Sequence, residues 1–96
     1  MHKKQLLMEL KTFKASQQKK YGILTLGVFG SFARGEETEL SDVDIVLETE
    51  TPDLFNIVHI KEGLEKRLCL PVDIVRLREK MNPFLKKRIK SEAVYV

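Results

Sequence analysis

Two aspartates separated by one residue are the most chemically suggestive feature of this sequence. Asp42 and Asp44 stand at the start of an apolar run. In a β-strand both carboxylates would point to one face, while the apolar residues around them would point to the other. Two carboxylates this close repel each other unless a cation lies between them, and Mg²⁺ is typically bound by a few carboxylates together with substrate phosphates. The pair therefore indicates a divalent metal site.

A glycine–serine pair, Gly30-Ser31, lies ten residues before the aspartates, at the end of the apolar run 23–29. Glycine allows a ligand to approach the backbone closely. A short helix beginning at Ser31 would present free amide N–H groups and a positive dipole end to a phosphate. An isolated Asp-x-Asp is more often a solvated strand edge than a metal site, but its combination with Gly-Ser favours metal-dependent phosphate chemistry.

Gly30-Ser31, ten intervening residues and Asp42-Val43-Asp44 resemble the signature of the nucleotidyltransferase superfamily that includes DNA polymerase beta. The longer segment GSFARGEETELSDVDIVLE is similar to the minimal nucleotidyltransferases of bacteria and archaea, with Arg34, Gly35 and Ser41 also in place. The resemblance covers about half of the chain directly. It implies a third carboxylate on a neighbouring strand.

Asp73, within the apolar segment 72–77, fits the position of that third carboxylate. A charged residue inside such a run is best explained by a site shared with Asp42 and Asp44. The resemblance implies that Asp42 and Asp44 bind two Mg²⁺ ions and that Asp73 completes the site of the ion near the acceptor.

The same resemblance implies that Ser31 and the backbone of Gly30 bind the β- and γ-phosphates of ATP. Arg34 would neutralise developing phosphate charge or fix the loop. A salt bridge from Arg34 to Glu36 or Glu37 is an alternative of equal weight.

The remaining elements are predicted from apolar periodicity and from capping residues. Gly22 ends the first helix, Thr51-Pro52 begins the third, and Asn82-Pro83 begins the fourth. The predicted order is helix 3–20, strand 23–29, short helix 31–35, strand 42–49, helix to about 68, strand 72–77, a final helix and a short edge strand 93–96. This order predicts an α+β fold, a small mixed β-sheet with helices on one face and the carboxylates on the other, as in the polymerase beta-like nucleotidyltransferase core.

Composition limits the remaining possibilities. The length of 96 residues predicts a single domain, 1–96. The one cysteine, Cys69, lies in an apolar segment and is expected to be a buried thiol. No run approaches the roughly 20 apolar residues of a membrane span, so a cytoplasmic protein without membrane association is expected. An acidic middle, with ten acids and one lysine in residues 36–65, lies between two basic ends.

The resemblance also implies a partner, because minimal nucleotidyltransferases of this type commonly accompany a HEPN-domain ribonuclease toxin. The expected function is that of an antitoxin: a Mg²⁺-dependent protein adenylyltransferase that moves AMP from ATP to a tyrosine hydroxyl of the toxin. Two alternatives stay open. The chain could neutralise its partner by masking a surface without catalysis. It could also bind nucleic acid through the basic segment 86–90, which is the least favoured of the three.

Overall fold

The computed structural model describes all of residues 1–96 and contains one four-stranded sheet with four helices. The elements in chain order are α1 (Lys3–Tyr21), β1 (Ile23–Phe29), α2 (Gly30–Arg34), β2 (Val43–Thr49), α3 (Leu54–Leu68), β3 (Val72–Arg76), α4 (Pro83–Glu92) and β4 (Val94–Tyr95). The strand order is β3-β2-β1-β4. β2 is antiparallel to β1 and parallel to β3, and β4 pairs antiparallel with β1. The predicted α+β fold with a mixed sheet is confirmed.

The main core lies between the sheet and the helices α1 and α3. Apolar residues at helical spacing on α1, such as Leu6, Leu10 and Phe13, are buried in the same core cluster as alternate residues of β2, such as Ile45 and Leu47. Because side chains alternate along a strand, the intervening residues of β2 are directed to the opposite face. Hydrophobic packing thus fixes which face of β2 carries Asp44.

The fourth helix departs from the prediction that all helices lie on one face. α4 packs on the opposite face, where Ile89 is buried together with Phe29 and Val46. The reason is local: β1 is apolar on both faces, so its second face also needs a cover. As a result, α4 lies beside the end of β1 from which Gly30 follows.

Several element boundaries follow the predicted capping chemistry. Gly22 caps α1 in the left-handed conformation, and the Asn82 side chain caps α4 ahead of Pro83. The predicted cap of α3 was wrong by two residues: the side chain of Asp53, rather than that of Thr51, accepts the first free amides. The prediction for Cys69 was also wrong, since it is exposed at the end of α3 with a φ of 55°.

The close approach of two strands explains one glycine within β1. A Cβ atom on Gly27 would lie 2.8 Å from the carbonyl oxygen of Val94, so only glycine lets β4 pair there. No helix has both the length and the apolar character needed to cross a bilayer.

Candidate active site

The aspartates of β2 and β3 meet in register. Asp44 and Asp73 are Cα partners in the parallel ladder, so their side chains lie on the same face of adjacent strands. Both are the second residue of their strand, at the end of the sheet where β1 finishes. Asp42 lies just outside β2, which begins at Val43 rather than at the predicted residue 42. Asp42 and Asp73 are exposed and Asp44 is half-buried, so solvent and ligands can reach the group.

The electrostatics of Asp44 fit a site that binds a cation. Burial, together with the negative charges of Asp73 and Asp42, raises the pKa of the Asp44 carboxyl, and Arg88 and Arg34 oppose this only in part. Hard oxygen ligands that repel one another are the donor set that a divalent ion neutralises. No three acidic, histidine or cysteine side chains converge into a ready-made metal cluster. Asp44 and Asp73 are in register and Asp42 is close enough to influence Asp44, and the role of the three as metal ligands stays a prediction.

Gly30 brings the backbone of the glycine–serine pair against Asp44. It has a φ of +73°, and a Cβ atom built at this position would overlap the Asp44 carboxylate. The preceding residue, Phe29, is the ladder partner of Asp44. Gly30 therefore has to be glycine for two reasons: its backbone is left-handed, and the Asp44 carboxylate leaves no room for a side chain. The fold thus joins the two halves of the sequence motif.

The short helix α2 positions Ser31 and Arg34. It runs from Gly30 to Arg34, anchored by Phe32 and Ala33 in the main core, and ends at Gly35 in the left-handed conformation. Ser31 is half-buried beside Gly30. The Arg34 guanidinium lies 3.3 Å from Glu36 Oε2, as the salt-bridge alternative predicts. Arg34 also pairs with a second, distant acid.

That second acid is Glu92, which the sequence interpretation did not identify. Its Oε2 atom accepts a hydrogen bond from the Gly30 amide at 3.1 Å and lies 3.0 Å from Nη1 of Arg34. Arg88, one turn earlier on α4, lies 3.7 Å from the same oxygen. Glu92 is the only acid in a helix with four basic residues, and this isolation was the one available signal in the sequence.

The chain matches a known protein family over most of its length. The sequence model of the nucleotidyltransferase domain family matches residues 9–96 of this chain. The chain belongs to the nucleotidyltransferase domain family. The family and the enzyme class predicted from the sequence are thus confirmed, and membership implies a nucleotide substrate and, typically, a divalent metal ion.

The names of individual similar proteins are consistent with this family. The protein adenylyltransferase MntA of Thermococcus cleftensis is 38% identical to this nucleotidyltransferase over 88 residues, which span 91% of this chain and 88% of the relative. A solved structure provisionally assigned as a minimal nucleotidyltransferase superposes with a TM-score of 0.81 and 32% identity. It covers 98% of this chain and 95% of the other.

A more distant structural match comes from a complex. The match is to one chain of a solved complex, that of the tri-AMPylated Shewanella oneidensis HEPN toxin with MNT antitoxin. Its TM-score is 0.70 at 17% identity. The match covers 97% of this chain and 70% of that chain. At this level of identity, the likeness shows the shared fold.

Proposed function

We propose that residues 1–96 act as one Mg²⁺-dependent adenylyltransferase domain that moves AMP from ATP to a tyrosine hydroxyl of a HEPN ribonuclease toxin, and thereby serve as its antitoxin. The observation that carries this proposal is the register of Asp44 with Asp73 on parallel strands, next to the Gly30 backbone. The proposed location is the cytoplasm, because the donor is ATP.

Support for the donor and the acceptor comes from the relatives. The Thermococcus cleftensis protein, which is 38% identical to this chain over the aligned residues, is named a protein adenylyltransferase. The Shewanella oneidensis complex combines the same fold type with a HEPN toxin that carries AMP groups. A tyrosine hydroxyl is a chemically reasonable nucleophile once its proton is removed.

The proposed reaction is an in-line substitution at the α-phosphorus of ATP. The acceptor oxygen forms a bond to that phosphorus, the bond to the bridging oxygen of the β-phosphate breaks, and pyrophosphate leaves with its electron pair. The acceptor hydroxyl loses its proton in the same step. The products are an AMP ester of the partner, pyrophosphate and one proton.

Each residue of the site has a distinct proposed task. Asp42 and Asp44 would hold two divalent ions, and Asp73 would complete the site of the ion near the acceptor and help to remove its proton. When bound, two such ions would activate the attacking oxygen and stabilise the leaving one. Ser31 and the Gly30 amide would bind the β- and γ-phosphates.

The experiment that tests this proposal follows the α-phosphate. The purified chain is incubated with Mg²⁺, α-phosphate-labelled ATP and its candidate HEPN partner, and the Asp42→Ala and Asp44→Ala chains serve as controls. Label is expected on a tyrosine of the partner with the natural chain and with neither control. If a stable complex forms and neutralises the toxin without label, masking without catalysis replaces adenylyl transfer.

A second measurement separates the nucleic-acid alternative. Binding of generic RNA that falls steeply with salt and disappears after charge reversal at Lys86 and Lys87 would favour that alternative. The proposed transferase does not require such binding, so we expect neither behaviour.

A further inference from the structure

One carboxylate oxygen, Oε2 of Glu92, collects three donors at the candidate nucleotide site. They are the Gly30 amide at 3.1 Å, Nη1 of Arg34 at 3.0 Å and, at a longer 3.7 Å, Nη2 of Arg88. The donors come from the first residue of α2, the last residue of α2 and the middle of α4. Their shared acceptor lies on the last residue of α4.

This arrangement has the character of an anion-binding site. A backbone amide and guanidinium groups are the donors that bind phosphate oxygens, and guanidinium groups bind carboxylates in the same way. The Glu92 side chain is 19% exposed, whereas those of Arg34 and Arg88 are 38% and 52% exposed, so a ligand in solvent can reach the guanidinium groups. Burial opposes ionisation of Glu92, but the Gly30 hydrogen bond and the charges of Arg34 and Arg88 outweigh burial and lower its pKa. Glu92 is therefore a resident anion among donors suited to phosphate.

We propose that the Glu92 carboxylate occupies the position of a triphosphate oxygen when no nucleotide is bound, and that the nucleotide displaces it. Arg88, freed from Glu92, then binds phosphate together with Arg34 and the Gly30 amide. This inference rests on the proposed nucleotidyl transfer, because it takes Gly30 as part of the nucleotide site. Glu92 keeps the donors in place in the empty protein and lowers the apparent affinity for ATP.

A resident anion and a structural brace predict different outcomes when Glu92 is neutralised. A brace that positions Gly30 and Arg34 would, when weakened, reduce both the stability of the protein and its affinity for nucleotide. A competing anion would, when weakened, reduce stability but increase the affinity for nucleotide. The reason is that the donors are already bound to Glu92 in a smaller fraction of the molecules. Opposite signs of the two changes are therefore the signature of competition.

The test measures binding of Mg²⁺ and a non-cleavable α,β-methylene analogue of ATP by isothermal titration calorimetry, and thermal unfolding of the same samples without nucleotide. We expect Glu92→Gln to bind the analogue about fivefold to tenfold more tightly than the natural chain and to unfold at a lower temperature. Glu62→Gln, an equal change of charge on α3 at the other face of the sheet, should bind within about twofold of the natural chain.

A second pair of variants tests the role of Arg88. Arg88→Ala removes a proposed phosphate donor and should weaken binding of the analogue about tenfold. Lys87→Ala removes a neighbouring exposed charge from the same helix and should change the affinity by about twofold or less. Because both substitutions are at exposed positions, both proteins are expected to fold.

The outcomes separate this inference from the proposed function. If the natural chain binds the analogue but Glu92→Gln binds it equally or more weakly, competition by Glu92 is overturned while nucleotidyl transfer stands. If Arg88→Ala behaves like Lys87→Ala, the assignment of Arg88 is overturned. If the folded natural chain does not bind the analogue, both the proposed function and this inference fail.

Discussion

The two faces of the sheet are built for different purposes. The face toward α1 and α3 belongs to a core cluster of 15 buried apolar residues, whereas the cluster on the face toward α4 contains only three, Phe29, Val46 and Ile89. The second face instead carries Asp44 and Asp73 on adjacent strands. The face toward α1 and α3 therefore contributes most of the buried apolar packing, and the face toward α4 can carry charged groups.

The alternation of side chains along β2 produces the difference between the two faces. In β2, Val43, Ile45 and Leu47 enter the large core, while Asp44 lies between them on the opposite face. A one-residue shift in register would exchange the two sets, so burial of the apolar residues also fixes the direction of the carboxylate. Stability and chemistry should therefore respond to different substitutions within three consecutive residues.

The largest expected effect concerns the charged face. Asp44→Asn keeps the shape of the side chain but removes the charge proposed to bind metal, and should lower AMP transfer on the order of a thousandfold or more. The melting temperature without metal should be unchanged or higher, since repulsion with Asp42 and Asp73 is relieved. A fall in melting temperature that accounts for the lost activity would break the separation of the two faces.

The neighbouring residue on the core face should show the reverse pattern. Ile45→Ala leaves a cavity beneath the helices and should reduce the free energy of unfolding by about 2 to 5 kcal/mol. AMP transfer per folded molecule should stay within about threefold of the natural value, because the aspartates keep their register. Chemical denaturation and transfer assays on the same samples check both statements, with Ile45→Val as the milder control. Activity lost without instability would contradict the comparison.

Two glycines with the same backbone conformation sharpen the boundary between the faces. Gly30 and Gly35 both have a φ of +73°, but a Cβ atom would meet the Asp44 carboxylate at Gly30 and nothing within 4 Å at Gly35. Alanine at either position costs about 1 to 2 kcal/mol of left-handed strain. Gly30→Ala should cost about 1 kcal/mol more than Gly35→Ala by urea denaturation, through the added overlap. Equal costs would show that the Gly30–Asp44 contact carries no energy.

The smallest expected effect is the pH dependence of the Glu92 contacts. The folded-state pKa of Glu92 is lowered below its ordinary value of 4.5, so its contribution to stability is present above that value and is lost as the pH falls through the folded-state pKa. The natural chain should therefore exceed Glu92→Gln in unfolding free energy by about 1 kcal/mol at neutral pH. This gap should close on acidification. A gap that persists in acid would assign the difference to shape rather than charge.

Much of this arrangement could be predicted from the sequence, because local patterns determine it. The apolar alternation around Asp44 indicates a strand with its carboxylate on one face, and Asp73 stands in a similar run. Gly22, Asn82 and Pro83 mark the helix ends by their own backbone and capping preferences. The chain therefore carries local signals for its sheet, most of its helices and the candidate metal ligands.

The remainder depends on tertiary contacts that have no local signal. The position of α4 on the second face depends on burial of Ile89 against residues of β1 and β2, which are distant in sequence. The contact of Glu92 with Gly30 joins residues 62 positions apart and exists only because α4 lies there. Sequence patterns predict Arg34 with Glu36, two residues away, but not Arg34 with Glu92.

Asp73 provides the most direct test, because its role depends on both the parallel register and the proposed chemistry. The measurement is transfer of α-phosphate label from ATP to the HEPN partner by the natural chain and by Asp73→Asn, with the melting temperature of each. We predict that Asp73→Asn loses transfer while its melting temperature is unchanged or higher. Equal labelling by the two folded proteins would contradict a catalytic site formed by β2 and β3.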